Sequence, residues 1–241
     1  MKAFRITNLF LIFILITISA FSQTDKKVAQ EDIFRRYLQT GNEGIAQLIA
    51  NAKEPTVYTL FCKALFEDDE MLAIDLYTEF IQKQPKYGLV EAYFNRGIKY
   101  NAIEKMDLAI SDFDKAIELE IEDPYLYYYR GASYAAMENY DKAIEDYSEA
   151  IKLDSEFSLA YLMRGNSYLD KQDYTNALKD FNNTIKIDAN DEQAYLMRAY
   201  VYVELGEYDK ALKDCNKVKQ MNPDMSENAD FIIELINKQM K

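Results

Sequence analysis

Residues 92–119 read AYFNRGIKYNAIEKMDLAISDFDKAIEL, and residues 160–187 read AYLMRGNSYLDKQDYTNALKDFNNTIKI. Laid over one another, the two stretches share tyrosine, arginine, glycine and tyrosine in their first halves, and alanine, aspartate and phenylalanine in their second. Carried outward at an offset of 34 residues, the register fits four consecutive segments: 90–123, 124–157, 158–191 and 192–225. Position 4 is Tyr93, Tyr127, Tyr161 and Tyr195, and position 7 is Arg96, Arg130, Arg164 and Arg198. Position 8 is Gly97, Gly131, Gly165 and Ala199, and position 11 is Tyr100, Tyr134, Tyr168 and Tyr202. Further on, position 20 is Ala109, Ala143, Ala177 and Ala211, and position 24 is Phe113, Tyr147, Phe181 and Cys215. Position 27 is Ala116, Ala150, Thr184 and Val218. Tandem self-similarity at a period of this length marks a repeat architecture.

Positions 4, 8 and 11, and again 20, 24 and 27, follow the i, i+4, i+7 spacing of one helical face. Each segment therefore predicts two amphipathic helices facing one another. The small residues at 8 and 20 let the backbones approach, and the aromatic residues at 4, 11 and 24 fill the space beside that contact. Turns at Glu138-Asn139, Gln172-Asp173 and Gly206-Glu207 separate the helices, and Asp154-Ser155, Asp188-Ala189-Asn190 and Asn222-Pro223 close the units. Asp123-Pro124 has the pattern of an N-cap followed by proline at the first helical position. These motifs resemble the tetratricopeptide repeat over residues 90–225. The resemblance implies an all-α, right-handed superhelical solenoid of helix-turn-helix units that binds other proteins or peptides. The sequence departs from the family pattern in three places: a linker proline at position 32 only in the last copy (Pro223), Ala199 for glycine, and Cys215 for an aromatic residue.

Position 23 is aspartate wherever position 7 is arginine, giving Arg96 with Asp112, Arg130 with Asp146, Arg164 with Asp180 and Arg198 with Asp214. The constant separation of 16 residues suggests an ion pair between helices that fixes the stagger of the stack. It would form within a repeat or across the join to the next. The alternative is a solvated aspartate and an arginine whose stem covers apolar surface. An exposed pair would contribute at most about 1 kcal/mol.

Residues 54–89 read as a degenerate copy, with Ala73, Tyr77 and Phe80 on the second-helix face and Pro85 at the linker. Residues 23–53 hold two short apolar segments, Ile33 to Leu38 and Ile45 to Ala50, around Thr40-Gly41-Asn42, and read as an N-terminal helical cap. Residues 226–241 read as a C-terminal capping helix with Ala229, Ile232, Ile233 and Ile236 inward and Asp230, Glu234, Asn237 and Lys238 outward.

Residues 1–22 differ from everything after them. Lys2 and Arg5 precede the apolar run Leu9 to Ile18, and Ala20-Phe21-Ser22 offers small residues at a cleavage site, the organisation of a secretory signal peptide with Gln23 as the mature N-terminus. The rival is an uncleaved membrane anchor, yet the stretch from Ile6 to Phe21 falls short of the roughly 20 apolar residues a spanning helix needs. The expected location is thus periplasmic or secreted. Loss of Lys2 and Arg5 takes the net charge from −13 to −15, which argues against nucleic acid or an anionic lipid surface as partner. Cys62 and Cys215 read as free buried thiols, since distant repeats of a solenoid do not touch.

In the resembling family the concave groove is lined by first-helix positions 2, 5, 9, 12 and 13. Carried over, these include Phe94, Asn101, Tyr125, Tyr128, Leu162, Asn166, Asp170, Tyr200 and Glu204. The lysine and asparagine clamp with which chaperone-binding members hold acidic tails is absent, because position 5 is Phe94, Tyr128, Leu162 and Leu196. The surface instead suits a partner with apolar, aromatic or basic side chains, with Tyr125 and Tyr128 weighed equally as ligand contacts and as packing residues.

The chain has no histidine, which removes imidazole bases, histidine-dependent triads and histidine metal ligands. Its 7 glycines form no phosphate-cradling loop, and the acidic run Glu67-Asp68-Asp69-Glu70 lacks the alternation and turn glycine of a calcium loop. The sequence points to a non-catalytic scaffold or adaptor needing no cofactor or metal. The alternative is a structural assembly factor acting as an oligomer, or held at the membrane by an uncleaved N-terminal segment.

Overall fold

The computed structural model describes residues 23–52, 56–119, 122–222 and 226–240. The expected signal peptide, residues 1–22, and the linker residue Pro223 lie outside them. The described residues form thirteen helices and divide into two compact units between Lys105 and Met106. That division falls inside the first of the four expected repeats.

The first unit contains α1 (Gln23–Thr40), α2 (Glu43–Ala50), α3 (Val57–Leu65), α4 (Glu70–Gln82) and α5 (Leu89–Ala102). The segment expected as a cap is a helical pair that inserts Phe34 into the neighbouring repeat. Phe34 is fully buried, stacked on Tyr58 at 4.5 Å and edge-on to Phe61 at 5.1 Å. Ala73, Tyr77 and Phe80 of the degenerate repeat are buried as their spacing requires. Its first helix departs from the pattern because Phe61 stands at the position-8 glycine and packs edge-on to Tyr77 at 5.4 Å. Gly88 caps α5 at φ +86°, and a Cβ there would lie 2.8 Å from Phe34 Cε1, so both conformation and space demand glycine. The acidic run is a helix start: Asp69 caps α4 by accepting from Leu72 N, and Glu70 pairs with Lys99 at 2.9 Å.

The second unit contains α6 (Met106–Glu118), the pairs α7 (Pro124–Ala136) and α8 (Tyr140–Leu153), α9 (Ser158–Asp170) and α10 (Tyr174–Ile187), α11 (Glu192–Glu204) and α12 (Tyr208–Met221), and the final α13 (Ser226–Gln239). Asp123 caps α7 as expected, accepting from Tyr125 N at 2.9 Å. Each pair turns through one left-handed residue at position 15, namely Glu138 and Gln172 at φ 59° and Gly206 at φ 72°. The next N–H then donates back to the position-11 tyrosine carbonyl: Asn139 to Tyr134 at 2.9 Å, Asp173 to Tyr168 at 2.8 Å and Glu207 to Tyr202 at 2.7 Å. This closes the orphan carbonyls of the first helix.

Close approach within a pair is set at position 8. A Cβ on Gly131 would lie 3.0 Å from Tyr147 Cε1, and one on Gly165 would lie 2.7 Å from Phe181 Cε1. The last pair carries a methyl group at this site because Ala199 shares its cluster with Cys215, whose thiol occupies less space than a ring. Two departures from the repeat pattern are thus one compensated change. Beyond α12, α13 buries Ala229, Ile232 and Ile236 and exposes Asp230, Glu234, Asn237 and Lys238.

The position-7 arginines hold the pairs in register. Arg130 Nε and Nη2 donate to the two Asp146 carboxylate oxygens at 2.9 and 2.6 Å. Arg164 grips Asp180 at 2.7 and 2.8 Å, and Arg198 grips Asp214 at 2.8 Å through both nitrogens. The remaining Nη1 reaches the preceding repeat, where the acceptor at position 25 is Asp114 for Arg130, Ser148 for Arg164 and Asn182 for Arg198. Each guanidinium also lies over its position-4 ring, at 5.6 Å for Tyr127 and Tyr161 and 5.3 Å for Tyr195. In the first unit Arg96 Nη1 likewise donates to Thr78 at 2.8 Å, and Thr78 occupies position 25 of the degenerate repeat. The expected pairing is present within the three repeats that begin at 124, 158 and 192, and it extends to the one before each. It is not the exposed contact considered from sequence, since the aspartate side chains are only 1–7% exposed.

Glycine-to-alanine changes inside helices ordinarily gain about 1 kcal/mol. Forcing a methyl group against the immobile Phe181 ring costs about 1–3 kcal/mol. We therefore expect Gly165→Ala to lower the urea midpoint, corresponding to a net loss of about 1 kcal/mol. A raised midpoint would show that the helices do not approach this closely.

Candidate functional site

Positions 2, 6, 9 and 13 form one stripe along each first helix. On α7 the stripe is Tyr125, Tyr129, Ala132 and Ala136, on α9 Leu159, Met163, Asn166 and Asp170, and on α11 Gln193, Met197, Tyr200 and Glu204. Tyr125 is 49% exposed and Leu159 46%, so the starts of α7 and α9 present bare apolar surface. Asp170 and Glu204 end α9 and α11 and are exposed.

Behind this stripe, Phe157 supplies an aromatic support. It stands where Asp123 and Asp191 cap the equivalent helices, makes no side-chain cap bond and is buried. Tyr125 and Tyr128 lean on it with ring centres 4.8 and 5.3 Å away. Tyr128 also meets Tyr129 edge-on at 5.2 Å and Tyr147 at 6.0 Å. Burial, with Tyr129 beside it, raises the Tyr128 hydroxyl pKa above its ordinary value. Tyr128 therefore belongs chiefly to packing, while Tyr125 offers a supported and accessible ring.

Further along, the Asn166 Oδ1 is shielded from solvent and accepts no hydrogen bond from the chain. The Tyr200 hydroxyl donates to Glu204, and burial, Glu204 and Tyr174 together raise its pKa. Leu162 does not belong to the surface. It is 2% exposed and packs in a cluster with Phe181 and Val201, because an aliphatic side chain at position 5 turns inward between neighbouring repeats. Phe94 and Asn101 lie half-buried on α5 in the first unit, and both already have partners. Two residues missed from sequence are Leu159, which position 2 pointed to, and Phe157, whose signal was an aromatic residue at a capping position.

Among the described residues no cluster of three acidic or thiol side chains could hold a metal ion, and no helix is long and apolar enough to cross a membrane. Both cysteines are free and buried. Burial pushes the Cys62 thiol up to about 12, and burial, with Asp214 nearby, pushes Cys215 up to about 11.

This architecture of paired, stacked helices defines a helical repeat protein. Tetratricopeptide repeat models match residues 90–120, 124–157 and 192–225, and a TPR repeat model matches residues 165–206. Together they cover more than half of the sequence, and the chain belongs to the tetratricopeptide repeat family. No curated protein matches it significantly. Among solved structures, a tetratricopeptide repeat protein from Parabacteroides merdae is similar at 20% identity and TM-score 0.66, with 76% of each chain covered. YrrB, described as a TPR protein with an unusual peptide-binding site, is similar at 19% identity and TM-score 0.61, covering 85% of this chain and 99% of its own. MamA from Desulfovibrio magneticus RS-1 is similar at 15% identity and TM-score 0.63, covering 68% of this chain and 92% of its own. At these identities the likeness is one of fold.

A thiol with its pKa raised by burial stays protonated, and thus unreactive, until pH climbs through the raised value. Ellman's reagent at about pH 8 should modify neither Cys62 nor Cys215 in the native protein and both in denaturant. Rapid native labelling of either would contradict the burial.

Proposed function

We propose that the chain is a non-catalytic adaptor that binds a segment of another protein on the first-helix face of its second unit. The observation that carries this reading is the accessible apolar surface at Leu159 and at Tyr125, which the Phe157 ring supports, on a face that also carries Asn166, Asp170, Tyr200 and Glu204. Such a supported aromatic patch with a polar border is where binding energy collects in protein interfaces. Family membership supports the same reading, since repeat solenoids offer extended surfaces for recognition. So does the likeness in fold to YrrB, a protein described as having a peptide-binding site.

The adaptor works outside the cytoplasm, in the cell envelope or as a secreted protein. Lys2, Arg5, the apolar run Leu9 to Ile18 and Ala20-Phe21-Ser22 support export, with cleavage before Gln23.

The test is photo-crosslinking in the source cell from a crosslinking residue at Tyr125, with an outer control at Lys152, whose side chain is 73% exposed on the second helix of the same pair. We expect a partner captured from Tyr125 and not from Lys152, on a chain whose N-terminal sequence begins at Gln23. Equal capture from both sites, or none, would refute the binding face. A chain retaining Met1 would refute the signal peptide.

A further inference from the structure

The first and second helices of the second unit treat charge differently. Every second helix carries a lysine in its last turn: Lys115 on α6, Lys152 on α8, Lys186 on α10 and Lys219 on α12. Cations there offset the negative end of the helix dipole. The first helices do the reverse, because α7, α9 and α11 have no basic residue in the last turn. Two of them end on a carboxylate instead, Asp170 on α9 and Glu204 on α11, where the dipole makes a negative charge unfavourable.

The chain offers these carboxylates no cation. No lysine lies within α7, α9 or α11, and their arginines, Arg130, Arg164 and Arg198, are each committed to a bidentate aspartate. Lys171, which follows Asp170 directly, pairs with Asp141. Among the described residues no lysine or arginine pairs with Asp170 or Glu204. Tyrosine rings stand beside both acids. Burial and then Asp170 raise the Tyr140 hydroxyl pKa, and Tyr200 neighbours Glu204 one turn away on α11. A carboxylate beside a tyrosine ring is a setting that favours lysine or arginine by charge and by the ring face.

Across this face the exposed apolar residues, Tyr125 and Leu159, stand at the starts of α7 and α9, and the carboxylates, Asp170 and Glu204, at the ends of α9 and α11. We infer that α7, α9 and α11 receive a cationic amphipathic segment of another protein. Its lysine or arginine side chains meet Asp170 and Glu204, and its apolar side chains lie on Tyr125 and Leu159. This rests on the reading that the first-helix face binds a protein segment, and it adds the chemistry of that segment.

The test is selection of random peptides displayed on phage against the purified chain. A selected peptide is then titrated against Asp170→Asn/Glu204→Gln and against a charge-matched control, Glu145→Gln/Asp209→Asn, whose acids are exposed on second helices. We expect selected peptides rich in lysine or arginine alternating with apolar residues. Affinity should fall about tenfold in the first variant and little in the second. Peptides without basic residues, or equal weakening by both variants, would overturn the inference while leaving capture at Tyr125 intact. Failure to select any peptide would overturn it as well, and with no capture at Tyr125 the binding face itself would fall.

Discussion

Arg164 touches three helices at once. Its guanidinium grips Asp180 on the partner helix, donates to Ser148 in the preceding repeat and lies over Tyr161 on its own helix. Arg130 and Arg198 do the same with other partners. Such a contact works in one relative placement of the three helices, so it fixes stagger as well as distance. Taking two charges out of water is costly, and a bidentate pair with a third hydrogen bond to the preceding repeat offsets that cost. Removing one partner leaves a charge stranded, at about 3–5 kcal/mol, a large share of the 5–15 kcal/mol by which domains are ordinarily stable.

Fixing the stagger positions the face proposed to bind. The arginine stem leaves the first helix at position 7, on the side toward the second helices. On the stripe of positions 2, 9 and 13 the chain places its exposed tyrosine, leucine and carboxylates. Committing every first-helix arginine to the ladder also empties the face of positive charge. Architecture and surface charge thus follow from one residue choice repeated at an interval of 34.

The repeat register, the two facing helices and the arginine–aspartate pairing were legible in sequence because each rests on a residue type constant in every copy. The second acceptor was not, since position 25 is Thr78, Asp114, Ser148 or Asn182, which share only an oxygen. The left-handed turn residue was hidden for a similar reason. Glu138 and Gln172 adopt φ 59° under the pull of the closing hydrogen bonds, and Gly206 alone announces it. Of the candidate site, Tyr125, Asn166, Asp170, Tyr200 and Glu204 lie on the expected stripe, while Leu162 belongs to the core. Position 5 faces inward or outward according to what the next repeat places against it, and a single helix does not reveal that. Phe34 was read as part of an edge cap, and only packing shows it threaded between Tyr58, Phe61 and Gly88.

The most direct test of this dependence is a double-mutant cycle on unfolding free energy with Arg164→Met, Asp180→Asn and the combined variant. A buried structural pair predicts a coupling of about 2 kcal/mol, with the double variant less damaged than the two single losses imply. A matching cycle with Ser148→Ala should give a smaller coupling across the join between repeats. Additive losses within about 0.5 kcal/mol in the first cycle would mean that the guanidinium and carboxylate do not act together, and the arginine ladder would not be what sets the stack.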